Sequence, residues 1–370
     1  MTRNHLIAAG YAAGFLMLGA ISANAGALER STQSVAILFE PGTYAEFSLG
    51  IVSPDISGSG NGPFTGLASG DIAKSYSTLS FGYKQPLNDK LDMAVIVDQP
   101  VGADVSYPAA NAPYPFAGST AEVRSLAVTG LLRYKLPSNV SLYGGLRAES
   151  VKGDLNIIAP ALTPAFTNYA LTAKQNYQLG YVLGVAWEKP EIAARVALTY
   201  NSAITHDFDT IETGLGPSPI YDVMDVEIPQ SLNLEFQSRI AANTLLFGSV
   251  RWVDWTAFRV APNSLSPLAI VSYPNDMITY SIGIGRKFNE TWSGAVTLGY
   301  ERHFGDPVSN LTANDGSKSI GLAVSYTKDN MKITGGLRYI EIGDATTTSV
   351  GSSFSGNSGI AGGIRVGFNF

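Results

Sequence analysis

Hydrophobic residues alternate with small or polar ones along fourteen separate segments of this 370-residue chain. In the segment Gln175–Trp187, for example, every odd position from Tyr177 onward is aromatic or aliphatic. A period of two places alternate side chains on opposite faces of a strand. Segments of about ten residues with this period are typical of transmembrane β-barrels, whose strands face lipid on one side and the lumen on the other. The predicted strands are Thr43–Val52, Ser75–Gln85, Lys90–Asp98, Glu122–Lys135, Val140–Ser150, Gln175–Trp187, Ile192–Ser202, Pro229–Arg239, Asn243–Asp254, Met277–Lys287, Thr291–Glu301, Ser317–Tyr326, Met331–Glu341 and Gly359–Phe370.

The connections between these segments alternate between short and long. Short linkers such as Pro86–Asp89 contain turn-forming residues, whereas Ser53–Lys74 and Gln99–Ala121 are long. Bacterial outer-membrane barrels have short periplasmic turns and longer outer loops. We therefore predict an all-β, transmembrane, antiparallel up-and-down barrel of about 14 strands. An even strand number and a long first loop predict that both termini are periplasmic.

The two ends of the chain fit export to the outer membrane. Arg3, the apolar run Leu6–Ile21 and the small residues Ala23-Asn24-Ala25 form the three parts of a secretory signal peptide. We expect residues 1–25 to be this signal, residues 26–41 to form a plug (the hatch) and residues 42–370 to form the barrel. The last segment alternates up to a terminal aromatic, Phe370, which we expect the barrel assembly machinery to recognise.

Composition excludes several classes of function. Cysteine is absent, so neither disulfides nor thiol chemistry is available. The formal net charge of −6 gives no basic cluster for nucleic acid. Beyond the signal, the histidines are His206 and His303, and the sequence lacks a G-x-S-x-G nucleophile motif. We predict no catalytic residues, no metal site and no cofactor, and we read His206-Asp207 as a solvated loop pair.

The segment Gly26–Pro41 carries an apolar cluster that a disordered tail would not need. Tucked into the barrel, Val35, Ile37, Leu38 and Phe39 would form part of a hydrophobic ligand-binding surface. The alternative is that Ile37–Phe39 simply begins the first strand.

Alternation also places a group of charged residues in the lumen. A carboxylate ligand there would favour one or two guanidinium groups as bidentate partners. The alternative is that these arginines pair with lumen acids or water. The candidates are Arg133, Arg147, Arg195, Arg251 and Arg338, with Arg365 also facing inward, and the acids are Glu149, Glu235 and Glu301.

Three stretches resemble the FadL-type outer-membrane transporters of long-chain fatty acids and other hydrophobic compounds. Ser34–Gly58 is similar to the family's passage from plug into first strand, Val250–Phe258 (VRWVDWTAF) contains a W-x-x-F element, and Tyr280–Tyr300 is a similar hairpin. The resemblance implies a plugged fourteen-stranded barrel from which ligand leaves sideways at a kinked third strand. Pro100 and Gly102 mark a break of that kind, since proline cannot donate to a sheet ladder. The family's Asn-Pro-Ala hatch motif is missing, with Gln33-Ser34-Val35 near its place.

These observations predict a passive uptake channel in the Gram-negative outer membrane for long-chain fatty acids or similar hydrophobic compounds. Its partners would be the hydrophobic ligand, outer-membrane lipid and lipopolysaccharide, and the assembly machinery, with no nucleic acid. A general diffusion porin for small polar solutes is the alternative, and a barrel enzyme is a more distant one.

Overall fold

Fourteen antiparallel strands close into one barrel in the computed structural model, which describes residues 28–370. The predicted signal peptide and the first two hatch residues lie outside the described residues. The strands are β1 Tyr44–Asp55, β2 Tyr76–Pro86, β3 in two pieces (Leu91–Asp98 and Gly102–Ser106), β4 Thr120–Lys135, β5 Val140–Ile157, β6 Tyr169–Lys189, β7 in two pieces (Ala194–Asn201 and Ile204–Thr213), β8 in two pieces (Ile220–Ile228 and Ser231–Ala241), β9 Thr244–Val253, β10 Met277–Lys287, β11 Trp292–Glu301, β12 Ser317–Lys328, β13 Met331–Ile342 and β14 Ser358–Asn369.

The first and last strands complete the barrel. β1 pairs with β14 along its whole length, from Tyr44 opposite Asn369 to Asp55 opposite Ser358. Each of the other strands pairs with its neighbours in sequence. The predicted fold class and strand number are therefore confirmed. The end of the barrel with the short turns, where β1 starts, is called the turn end, and the opposite end of the barrel is called the loop end.

Alternation sorts the side chains as expected for a membrane barrel. The outward positions carry large apolar side chains that are exposed, among them Leu79, Leu179 at 70% and Leu322 at 60%. A water-soluble protein would not leave so continuous an apolar band uncovered, whereas lipid covers it in a membrane. Among the described residues, no helix is long and apolar enough to cross a membrane.

The loops fold back over the barrel mouth. Tyr107 and Tyr114 stack with ring centroids 5.6 Å apart, and both belong to a buried cluster that draws on several loops. The hydroxyl of Tyr107 donates to the carbonyl of Asn310 over 2.5 Å, and that of Tyr114 bonds Ser352 Oγ over 2.9 Å. The loops therefore form a packed cap.

Short elements outside the barrel wall complete the fold. A small sheet joins Ser57–Ser59, Ala68–Asp71, Ala345–Thr346 and Ser353–Phe354, and a second pairs Arg259–Val260 with Val271–Ser272. Single turns of 3-10 helix lie at Ala36–Phe39, Gly62–Phe64, Ala109–Asn111, Pro164–Phe166, Pro190–Ile192, Trp255–Ala257 and Asn263–Leu265.

The region between the predicted seventh and eighth strands was wrongly expected to be a loop. β7 and β8 continue into it as a hairpin, in which Ile204 pairs with Ile228. His206 lies on the inner face of this hairpin with no exposed surface, so the solvated reading of His206-Asp207 is wrong for the histidine. The outward positions here include Asp207 and Asp209, because this part of the wall does not face lipid.

Candidate transport pathway

The hatch runs through the lumen and is bonded to the wall along its length. The carbonyl of Thr32 accepts a bond from Asn233 Nδ2 over 2.8 Å, and Ser34 Oγ donates to Glu235 Oε1 over 2.7 Å. Ser31 Oγ donates to Asp98 Oδ2 over 2.5 Å. These bonds hold the hatch against one side of the barrel, formed by β3 to β8, and leave the other side open.

The apolar end of the hatch packs tightly rather than standing open. Val35, Ile37, Leu38 and Phe39 are all at most 9% exposed, in a 3-10 turn that precedes β1. Their neighbours are small or aromatic lumen side chains near the turn end, namely Tyr44, Ala94, Leu131, Tyr143, Val182, Ala186 and Ala197. Of the four, Ile37 also lines the main lumen cavity. The cluster therefore closes the turn-end half of the lumen on that side.

Two of the candidate arginines contact this 3-10 turn. The guanidinium carbons of Arg133 and Arg195 each lie 4.4 Å from the ring centre of Phe39. Arg133 also donates to the carbonyl of Leu38 over 3.1 Å and pairs with Glu188. Cation–π contacts of desolvated arginine are among the stronger of their kind. Both side chains are therefore engaged by the hatch.

Two further candidates bind hatch side chains. Arg147 donates to Gln33 Oε1 over 2.9 Å and to Asn201 Oδ1 over 3.1 Å. Arg251 forms an ion pair with Glu29 and donates to Asn233 Oδ1 over 2.6 Å. The side chain of the fifth candidate, Arg338, lines the main cavity and has no hydrogen-bond or ion-pair partner within residues 28–370.

The third strand breaks where the sequence placed Pro100 and Gly102. β3 stops at Asp98 and resumes at Gly102, and its first piece pairs with β2 only from Phe81 onward. The second piece turns away instead, and Val105 bridges to Ala73 of the first loop. The loop-end half of β2, Tyr76–Ser80, therefore has no β3 partner in the ladder.

The start of the described hatch is bonded to this break. The backbone amides of Arg30 and Ser31 donate to the carbonyl of Pro100 over 2.8 and 3.3 Å, and Gly102 donates to Leu28 over 2.7 Å. A Cβ atom on Gly102 would lie 2.4 Å from Arg30 Nε. Glycine at position 102 therefore allows the hatch and the broken strand to approach each other.

A small opening through the wall lies beside the break. Its cavity of about 50 Å³ is bounded by the lumen-facing Ser48 and Ser80 and by the lipid-facing Leu49, Leu79 and Ile364. Gln99 crosses it, because its Oε1 accepts a bond from the backbone amide of Leu79 over 3.1 Å. The opening thus has both lumen and lipid sides.

An apolar pocket of about 130 Å³ lies toward the loop end, next to the same break. Half of its lining residues are aliphatic, among them Leu28, Val52, Ile56, Ile72, Val105, Leu311, Ala313, Ile340 and Ile342. The charged residues Glu29, Arg30, Lys74 and Asp104 also line it. Arg30 borders both this pocket and the wall opening.

The main lumen cavity has a different character. It also measures about 130 Å³, but ten of its lining residues are serine or threonine. Its apolar lining residues include Ile37, Ile96 and Phe247. It shares no residue with the apolar pocket. The two cavities are therefore separate spaces inside one barrel.

Buried histidine and acids elsewhere in the barrel do not form a metal centre. His206 Nε2 lies 3.7 Å from Glu149 Oε1, and both side chains are fully buried. Within residues 28–370, no group of three or more histidine, aspartate and glutamate side chains could hold a metal ion.

Sequence reasoning missed Arg30 and Asp104, which join the hatch to the break. The adjacent charged residues Glu29 and Arg30, at the start of a segment expected in the lumen, were the available signal. Charges in such a segment need partners on the wall, but their identity depends on how the strand kinks.

The sequence matches the family described as outer membrane protein transport protein (OMPP1/FadL/TodX) over residues 8–303. This range contains the hatch, the strand break and most of the barrel. Among curated proteins, no sequence matches.

Solved structures share the fold at low sequence identity. A Pseudomonas aeruginosa FadL homologue is 14% identical with a TM-score of 0.76, covering 94% of this chain and 96% of its own. The Pseudomonas putida toluene transporter TodX is 13% identical with a TM-score of 0.63, covering 95% and 93%. The monoaromatic hydrocarbon channel CymD is 13% identical with a TM-score of 0.60, covering 95% and 92%. At such identities the likeness concerns the fold alone.

Proposed function

The chain belongs to the OMPP1/FadL/TodX family of outer-membrane transport proteins, and we propose that it carries hydrophobic compounds, such as long-chain fatty acids, passively across the outer membrane. The observation that carries the proposal is the apolar pocket beside the broken third strand. It offers an aliphatic surface toward the loop end and adjoins an opening to the lipid face. Hydrophobic ligands gain free energy from each such surface, roughly in proportion to the apolar area they bury.

The proposed route is lateral. Ligand enters between the loops, occupies the apolar pocket, and leaves past Arg30 and the gap at Pro100 and Gly102 into the membrane. A kink in the ladder is needed because a fully paired wall presents continuous hydrogen bonds. Each site must hold the ligand weakly enough to release it, since no energy source drives the passage.

The pocket's size bears on the ligand. A cavity of about 150 Å³ binds benzene in other proteins, so a pocket of about 130 Å³ suits a body of that size or one segment of an acyl chain. The toluene transporter and the monoaromatic hydrocarbon channel among the similar structures support the compact alternative. The hatch residues Val35, Ile37, Leu38 and Phe39 would meet ligand after the hatch moves.

The termini and assembly partners follow from the same topology. We propose that the turn end is periplasmic, so that Phe370, which is 77% exposed, is available to the assembly machinery. The apolar outer band would contact lipid, with lipopolysaccharide around the loop end.

A general diffusion channel for small polar solutes is the second candidate, and the hydroxyl-rich main cavity favours it. Two measurements on the full chain separate the candidates. Cells expressing it should take up radiolabelled toluene or oleate faster than cells lacking it, while the purified protein gives little ion conductance in planar bilayers. Large steady currents without hydrophobic uptake would instead establish the porin.

A further inference from the structure

Arg338 stands apart from the other lumen arginines. It lies on β13, opposite Gly321 on one side and Ala361 on the other. Within the part of the chain that the structure describes, its side chain makes no hydrogen bond or ion pair, although it lines the main cavity. A guanidinium carries five donors in a rigid fork, so this group is equipped for a ligand that the chain does not supply.

The neighbouring strand makes room for Arg338. Gly321 lies between Thr297 and Arg338 in register. A Cβ atom at position 321 would lie 2.5 Å from Thr297 Oγ1 and 3.5 Å from Arg338 Nε. The missing side chain therefore lets the hydroxyl and the guanidinium approach the same position on the lumen wall.

Other charges at this cavity already have partners. Arg365 donates to Ser48 Oγ over 2.9 Å and lies 3.8 Å from Glu46. Arg251 is paired with Glu29. The acids are held too, because Asp98 and Glu235 accept bonds from hatch serines. Among the charged side chains that line this cavity, Arg338 is therefore the one without a hydrogen-bond or ion-pair partner in residues 28–370.

Hydroxyl groups line the same cavity as this charge. Ser281, Thr297, Ser317 and Ser319 line the cavity on β10, β11 and β12, and β12 pairs with the strand that carries Arg338. Hydroxyls donate to anionic oxygens and also accept from hydroxyl groups of a solute. The apolar pocket shares no residue with this cavity.

We propose that Arg338 and these hydroxyls form a binding site for a small hydrophilic oxyanion, a carboxylate or phosphate on a hydroxylated solute. The guanidinium fork would hold two oxygens of the anion, since bidentate pairing is the strongest geometry open to arginine. Thr297 would bond a third oxygen or a neighbouring hydroxyl. This site is separate from the proposed hydrophobic route and does not depend on it.

The test uses the purified full-length mature protein in mild detergent, titrated calorimetrically at constant ionic strength with sodium gluconate and with inorganic phosphate. We expect saturable binding of one or both. Arg338→Gln should weaken it by about tenfold to a hundredfold, the usual worth of charged hydrogen bonds. Arg338→Lys, which keeps the charge without the fork, should fall between the two.

Arg239→Gln is the matched control, because this arginine is exposed at a short turn. It should bind as the unchanged protein does, and circular dichroism should show the same β-structure for every variant. If neither anion binds, or if Arg338→Gln binds as well as Arg239→Gln, the proposal is overturned. Toluene binding by the unchanged protein reports separately on the proposed function, so the two can fail independently.

Discussion

Arg30 of the hatch donates from Nη2 to Oδ2 of Asp104, 2.5 Å away, in the piece of β3 that follows the wall break. Asp104 also accepts two bonds from Arg124 of β4, at 2.8 and 2.9 Å. One carboxylate thus joins hatch, broken strand and wall. The guanidinium of Arg30 lies over the ring of Tyr76 as well, 4.1 Å from its centre. The hatch and the unpaired half of β2 are therefore held by one side chain.

Replacing Arg30 by glutamine should loosen this junction. The Arg30 and Asp104 side chains are only 5% and 9% exposed, so losing the bond should cost about 1–3 kcal/mol. Hydrogen exchange measured by mass spectrometry should become faster at residues 28–34. Arg124→Gln is the control, because Arg124 is 42% exposed and its loss should cost less than about 1 kcal/mol. Equal exchange in the two variants would contradict the assignment.

Gly102→Ala should destabilise the same junction by steric pressure. The added methyl would meet Arg30 Nε at 2.4 Å, and a buried side chain forced aside typically costs about 1–3 kcal/mol. Gly335→Ala is the matched control, since nothing lies within 4 Å of a Cβ at that strand position. Thermal midpoints in detergent should fall for Gly102→Ala and stay unchanged for Gly335→Ala.

Blocking substitutions distinguish lateral exit from passage along the lumen. Thr78 borders the wall opening but not the main cavity, and Ser249 borders the main cavity but not the opening. Thr78→Trp should reduce uptake of radiolabelled toluene or oleate by about tenfold or more, because an indole of ~200 Å² fills the gap. Ser249→Trp should leave this uptake nearly intact. The opposite pattern would place the hydrophobic route in the lumen.

Phe39 should matter more to stability than its size alone implies. Its ring lies between the guanidinium groups of Arg133 and Arg195, each 4.4 Å away. Phe39→Leu keeps much of the apolar volume but removes both contacts, each worth about 1–2 kcal/mol when desolvated. Phe288→Leu, at a site 62% exposed, should change the free energy of unfolding by less than about 0.5 kcal/mol. Urea unfolding in lipid vesicles would compare them.

The barrel could be predicted from the sequence because lipid imposes a period of two on every strand that it touches. Tyr177–Trp187 shows that pattern, and its outward side chains are the exposed ones. Where β7 extends beyond the apolar band, the outward positions are Asp207 and Asp209. The period of two continues there, but these outward side chains are polar and the inward ones apolar or buried. A search for apolar outward positions therefore could not recognise this part of the strand.

The site was predictable in part for a different reason. Alternation put Arg133, Arg147, Arg195, Arg251 and Arg338 in the lumen. The partners of the first four lie between 8 and 222 residues away in the chain, as Arg133 with Ser141 and Arg251 with Glu29 illustrate. Which arginine stays without a partner depends on how the hatch lies across the wall. Strand period carries no information about that path.

Glu40 should make stability depend on pH. Burial raises the pKa of this carboxyl from 4.5 to about 7, and the charge of Glu46 adds to the rise. Lys332, Arg195 and Arg365 face it and oppose the shift. Because the folded pKa is the higher one, the folded state keeps its proton while the unfolded state loses it between pH 4.5 and 7. The free energy of unfolding should therefore fall as pH rises through that window, by up to about 3 kcal/mol.

Glu40→Gln, which stays neutral, tests this dependence by urea unfolding. Its free energy of unfolding should match that of the unchanged protein near pH 4 and exceed it above pH 7. A constant difference across pH would exclude Glu40 as the cause.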